Sequence, residues 1–151
     1  MIEQSAVMKV SVKRVYQEPS KDDGVRVLVD RLWPRALPKE RAAVDAWLRD
    51  LAPSDALRKW FHQRPAAWET FRKRYLKELA APQEQEALSE LYRLAHGKKS
   101  VTLLFASKNE DRNNATVLRD LLNGMRKPPT GTGPAGARIA RDRQAKKMPR
   151  K

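Results

Sequence analysis

Asp30, Arg31, Trp33 and Arg35 fall close together around Pro34 in the stretch "VDRLWPR". A second polar stretch, "SKNEDRNNA", supplies Ser107, Lys108, Asn109, Arg112, Asn113 and Asn114. Arginines grip phosphate or carboxylate bidentately, asparagines read amide or base edges, and an indole stacks on a ring. Asp30 is the strongest candidate for acid–base work, as a general base or as a nucleophile toward a sugar or phosphoryl centre. Asp22, Asp23 and Glu110 are the carboxylates that could approach it. Arg31, Trp33, Arg35, Lys108, Arg112, Asn113 and Asn114 would then bind an anion or nucleotide. Each of these residues also has a structural use. Asp30 with Arg31 or Arg35 would make an ion pair tying strand to helix, and "RNNA" would cap the helix that follows it. Trp33, Trp47, Trp60 and Trp68 would serve the core, with Trp33 the exception, and His62 would end a helix.

These side chains need elements to bring them together. "VMKVSVKRVY" alternates in a way that suits a strand near a sheet edge, with one face polar. Residues 25–32 begin as a buried strand. "SVTLLFAS" is almost continuously apolar, as a central strand covered on both faces should be. Between the last two lie residues that read as helices. Asp45 is placed to cap a short turn carrying Trp47, Leu48 and Leu51, ended by Pro53. Ser54 is an expected N-cap for "DALRKWF", where Leu57, Trp60 and Phe61 share a face that turns inward. Pro65 suits a first helical position, ahead of a stripe of Trp68, Phe71, Tyr75, Leu76 and Leu79 that Pro82 breaks. A further helix carries Leu88, Leu91, Leu94 and Ala95 and stops at Gly97. The last runs from about Asp111 to Asn123 and buries Ala115, Leu118 and Leu122, with Gly124 as its cap.

A strand, a helical crossover and another strand imply a parallel pair. "QEPSKDDG" is too short for such a crossover, so the first two strands are either antiparallel neighbours or not paired directly. The expected fold is a small, helix-rich α/β domain over residues 1–123, with a mixed, partly parallel sheet of about three strands. In open α/β sheets ligands bind beyond the carboxyl ends of the strands. The two polar stretches meet at that place, beside the N–H groups that open the last helix.

Composition narrows the chemistry further. The chain has 151 residues, no cysteine and two histidines, so disulfides, thiolate nucleophiles and a metal site are not expected. No phosphate loop of the "GxxxxGK" type, no "GxGxxG" and no serine elbow occurs, and no cofactor is expected. No apolar run is long enough to span a membrane, and the start does not read as a signal peptide, so a cytoplasmic location is expected. The net charge is +14, of which residues 124–151 carry nine Lys/Arg against Asp142 alone. That Pro- and Gly-rich stretch reads as a disordered basic tail. Arg138, Arg141, Arg143, Lys146, Lys147, Arg150 and Lys151 make it an attractor for nucleic acid or another polyanion.

The segments "KRVYQEPSKDDGVRVLVDRLWPRALPKE", "DAWLRDLAPSDALRKWFHQRP", "WETFRKRYLKEL" and "TLLFASKNEDRNNATVL" resemble the domain of unknown function 488 family, in its short YeaO-like branch. The resemblance covers about residues 8–122 and implies an α/β fold with its pocket at the same two strand ends. Two positions depart from the family pattern. Ala36 stands where the family usually has Gly after "WPR", and Asn114 stands where many members have "NHA", so an imidazole acid or base is missing. The family has no established reaction and implies none here.

Three functions fit these observations. The first is a nucleic-acid-associated protein with an anion or nucleotide pocket at its strand ends. The second is a small hydrolase or transferase acting on a phosphorylated or nucleoside-like substrate through Asp30. The third is a DNA-binding regulator, which would have to present a recognition helix such as "SDALRKWFHQRP".

Overall fold

The computed structural model describes residues 9–97 and 100–124, so the basic stretch from residue 125 onward lies outside the described residues. Four strands, β1 (Lys9–Arg14), β2 (Val25–Leu28), β3 (Ala46–Trp47) and β4 (Ser100–Phe105), form one sheet in the order β1-β4-β2-β3. Every pairing in it is parallel. The α/β class is as the sequence implies, while the sheet has one strand more than expected and no antiparallel pair. Continuously apolar β4 takes the central place because Val101 to Phe105 are buried on both faces. Half-polar β1 lies at the edge.

β1 and β2 do not touch; β4 lies between them. Their ten-residue link returns the chain to the start of the sheet without a helix. An extended chain covers about 3.3 Å per residue, enough for that distance. The link ends in a 3₁₀ turn, Lys21–Asp23, with Ser20 and Asp23 forming a reciprocal capping box. Gly24 follows at φ 66°, so close to β4 that a Cβ there would lie 2.2 Å from the Ser100 carbonyl oxygen.

The extra strand corrects the reading of Asp45. Its carboxylate accepts from the Arg26 N–H at 2.8 Å instead of capping a helical turn. Ala46–Trp47 pairs with Val27 and Leu28, and the helical turn comes only afterwards, as 3₁₀ at Arg49–Leu51. Two residues of strand carry no periodicity, so local pattern does not reveal them. Between β2 and β3 lies the one-turn helix α1 (Lys39–Ala42).

Two compact units divide the described residues, 9–52 with 94–124 and 53–93. The first holds the sheet and α5 (Asn114–Asn123), which packs on β1 and β4. Val15, Leu28, Ala42 and Leu104 form a core cluster there, flanked by Trp33, Leu37, Val44, Trp47 and Ala106. The second unit holds α2 (Asp55–Gln63), α3 (Trp68–Leu79) and α4 (Pro82–Ala95) as far as Arg93. Ser54 caps α2 through the Leu57 N–H at 3.1 Å, as expected. Pro65 lies in the turn between helices, and α3 begins at Trp68. No helix among the described residues is long and apolar enough to cross a membrane.

Candidate functional site

Parallel register brings three carboxyl ends to one edge, because Arg14 aligns with Phe105 and Leu28 with Leu104. Asp30, two residues beyond β2, therefore sits beside Ala106 at the end of β4. Its Oδ2 accepts from the Ala106 N–H at 2.8 Å, and its Oδ1 accepts from Asn114 Nδ2 at 3.1 Å. The same Asn114 amide donates to the Val29 carbonyl at 2.9 Å, and Trp47 Nε1 donates to the Asp30 carbonyl at 2.8 Å. One carboxylate and one buried asparagine thus join the ends of β2 and β4 to the start of α5.

The other expected residues divide sharply. Asn113 is buried and caps α5, accepting from the Thr116 N–H at 3.0 Å and donating to the Asn109 carbonyl at 2.8 Å. Trp33 is half-buried, donates from Nε1 to the Leu37 carbonyl at 2.7 Å, and meets Trp47 edge-on at 5.4 Å. It packs against the core cluster. Arg31 is exposed and reaches the Ala52 carbonyl at 3.4 Å. Arg35, Lys108 and Arg112 are exposed, and their charged groups have no carboxylate partner among the described residues. Glu110 and Asp111 are exposed in the same loop as Lys108 and Arg112. Ala36, where the family usually has Gly, takes φ 58° in the left-handed region.

Sequence reasoning missed Arg14. At the end of β1, its Nε donates to the Ser107 carbonyl and its Nη2 to the Ala106 carbonyl, both at 3.0 Å, while it lies 5.1 Å from the Tyr16 ring centre. It therefore holds the other side of the β4 end. A basic residue ending a strand of alternating pattern is the signal that was there to find.

A second charged cluster gathers around Asp23, in the turn that leads into β2. Asp23 accepts from Arg26 Nη1 at 2.6 Å, Lys13 Nζ at 3.1 Å and the Ser20 N–H at 2.9 Å. Burial works to raise its pKa, but the Ser20 N–H and the two cations outweigh it and hold the carboxyl below its ordinary value. Buried Arg26 also donates to the Ala42 and Ala43 carbonyls, so this cluster anchors the end of α1. It is saturated internally.

Neither of two clefts, about 210 Å³ beside Tyr16, Leu37 and Arg41 and about 510 Å³ beside Leu57, Trp60 and Arg74, is lined by Asp30 or Asn114. Among the described residues no group of three His, Asp or Glu side chains is placed to hold a metal ion.

Comparison with known proteins finds relatives along most of the chain. Residues 9–133 match a family model described as "Inactive DUF488-N3 subclade". The "Uncharacterized protein YeaO" of Escherichia coli (strain K12) is 42% identical over 119 residues, 78% of this chain and 100% of that protein. The "Uncharacterized protein Rv3073c" of Mycobacterium tuberculosis (strain ATCC 25618 / H37Rv) is 43% identical over 116 residues, 77% of this chain and 95% of that one. No solved structure matches the chain.

Proposed function

This chain belongs to the DUF488 family, and from that premise we propose that it works by binding a polyanion, nucleic acid foremost, rather than by turnover. The observation that carries the reading is the net charge of +14, concentrated in residues 124–151. A surface of that sign gathers phosphate backbones and releases their counterions. The exposed Arg35, Lys108 and Arg112 would add contacts at the carboxyl edge of the sheet. Glu110 and Asp111 temper that edge, so the chain's overall charge supplies the reach.

Two further facts favour binding over catalysis. Both Asp30 oxygens already accept hydrogen bonds from the protein itself. Asn114, which occupies the place of the family's imidazole, cannot shuttle a proton at neutral pH. The matching model's own description, "inactive", points the same way.

The test is the salt dependence of binding to single- and double-stranded oligonucleotides. Affinity should fall steeply with salt, and removing residues 125–151 should flatten the slope. Binding that ignores salt, or its absence, would sink the proposal.

A further inference from the structure

The helical unit carries an aromatic side chain that its own packing leaves out. Phe61, Trp68, Phe71 and Tyr75 stack on one another with ring centres 4.4–5.9 Å apart. Trp60, on the same turn of α2 as Phe61, meets none of those rings. It is half-buried in the cleft of about 510 Å³, above buried Leu57. Its companions are guanidiniums, Arg74 at 4.4 Å and Arg64 at 5.2 Å from the ring centre. Helical spacing turns Trp60 inward, and in the fold it is half-buried. A guanidinium from α3 and one from the α2 end lie over its ring.

The charges lining this cleft are unevenly committed. Glu78, the one carboxylate among them, accepts from the Ser54 N–H at 2.8 Å and from Ser54 Oγ at 2.6 Å. Arg74 and Lys77 are exposed and have no carboxylate partner among the described residues. The cleft therefore offers an aromatic ring that Arg74 lies over, an apolar floor and two cations with no carboxylate partner among the described residues.

We infer that this cleft binds single-stranded nucleic acid, with a base stacked on Trp60 and the flanking phosphates held by Arg74 and Lys77. The inference rests on the polyanion-binding reading and names a site for it. A strand offers the two things the cleft lacks, a flat ring and a row of negative charge. A duplex keeps its base faces covered. An acidic helix would need several apolar sockets in a row, and the cleft has one aromatic.

The deciding experiment compares a short oligothymidylate with an abasic strand of equal length and charge, using the full chain at physiological salt. Oligothymidylate should bind about tenfold more tightly. Trp60→Leu should remove that preference, and Trp60→Phe, which keeps a ring, should retain most of it. Arg74→Ala with Lys77→Ala, both at exposed helix positions, should weaken both strands and lower the salt slope by roughly one to two. Equal, salt-dependent binding of the two strands by the natural protein overturns the stacking site and leaves the polyanion reading standing. Binding of neither strand overturns both. A preference that survives in Trp60→Leu removes Trp60 from the site. Tighter binding of an oligoglutamate peptide, lost in Trp60→Leu, reassigns the cleft to an acidic protein.

Discussion

Asp30 draws its hydrogen bonds from Ala106 and Asn114, 76 and 84 positions away in the chain. A carboxylate in that setting serves as an acceptor that two donors depend on. Asp30→Asn replaces one acceptor oxygen with an NH₂ group, so one of the two donors is left facing another donor. Loss of about 1–3 kcal/mol of stability in urea unfolding is expected. Oligonucleotide affinity should stay within about threefold of the natural protein, since the group is not asked to contact the ligand; a larger loss would return Asp30 to the binding or catalytic machinery. Ala36 is the second telling residue. An L-residue at φ 58° costs about 1–2 kcal/mol, part of which glycine would return as unfolded-chain entropy. Ala36→Gly should therefore raise the urea midpoint by the equivalent of about 0.5–1 kcal/mol. An unchanged or lowered midpoint would contradict the strain argument.

At the scale of elements, the cluster of Asp23, Lys13 and Arg26 decides how the 3₁₀ turn, β1, β2 and α1 hold together. The Asp23 carboxyl titrates lower in the fold than in the unfolded chain. Its contribution is accordingly complete above the unfolded value of about 3.9 and is lost as pH falls through the folded value below it. Asp23→Asn should cost about 3 kcal/mol at neutral pH, since it strands two cations, one of them the buried Arg26. The gap from the natural protein should narrow in acid, at a pH below the folded value, where both carry an uncharged group. Unfolding curves at the two pH values measure it, and a constant gap would refute the assignment. The single turn α1 depends on this cluster because four residues do not sustain a helix alone.

Across the whole molecule, charge is the property with reach. A protein of net charge +14 should bind nucleic acid in a way governed by ionic strength. Reversing Arg35 and Lys108 to Glu should weaken oligonucleotide binding at every sequence alike, because phosphate contacts carry no base information. A sequence-selective loss, measured over oligonucleotides of different composition, would mean that the strand edge reads bases.

Much of this was legible without coordinates. Apolar continuity identified β4 as the central strand, alternation put β1 at an edge, and Ser54 announced α2, because burial pattern and capping act over a few residues. The same local logic located both strand ends and named Asp30, Asn113 and Asn114. What those residues do there was decided by tertiary structure alone. Parallel register, set by hydrogen bonds between distant segments, joined Asp30 to Ala106 and Asn114, inserted the two-residue β3, and turned Arg14 onto the end of β4. Helical spacing assigned Trp60 to the core, and folding left it half-buried at a cleft with two guanidiniums over its ring. Periodicity specifies which face a side chain is on; only the neighbours brought by folding specify whether that face is filled.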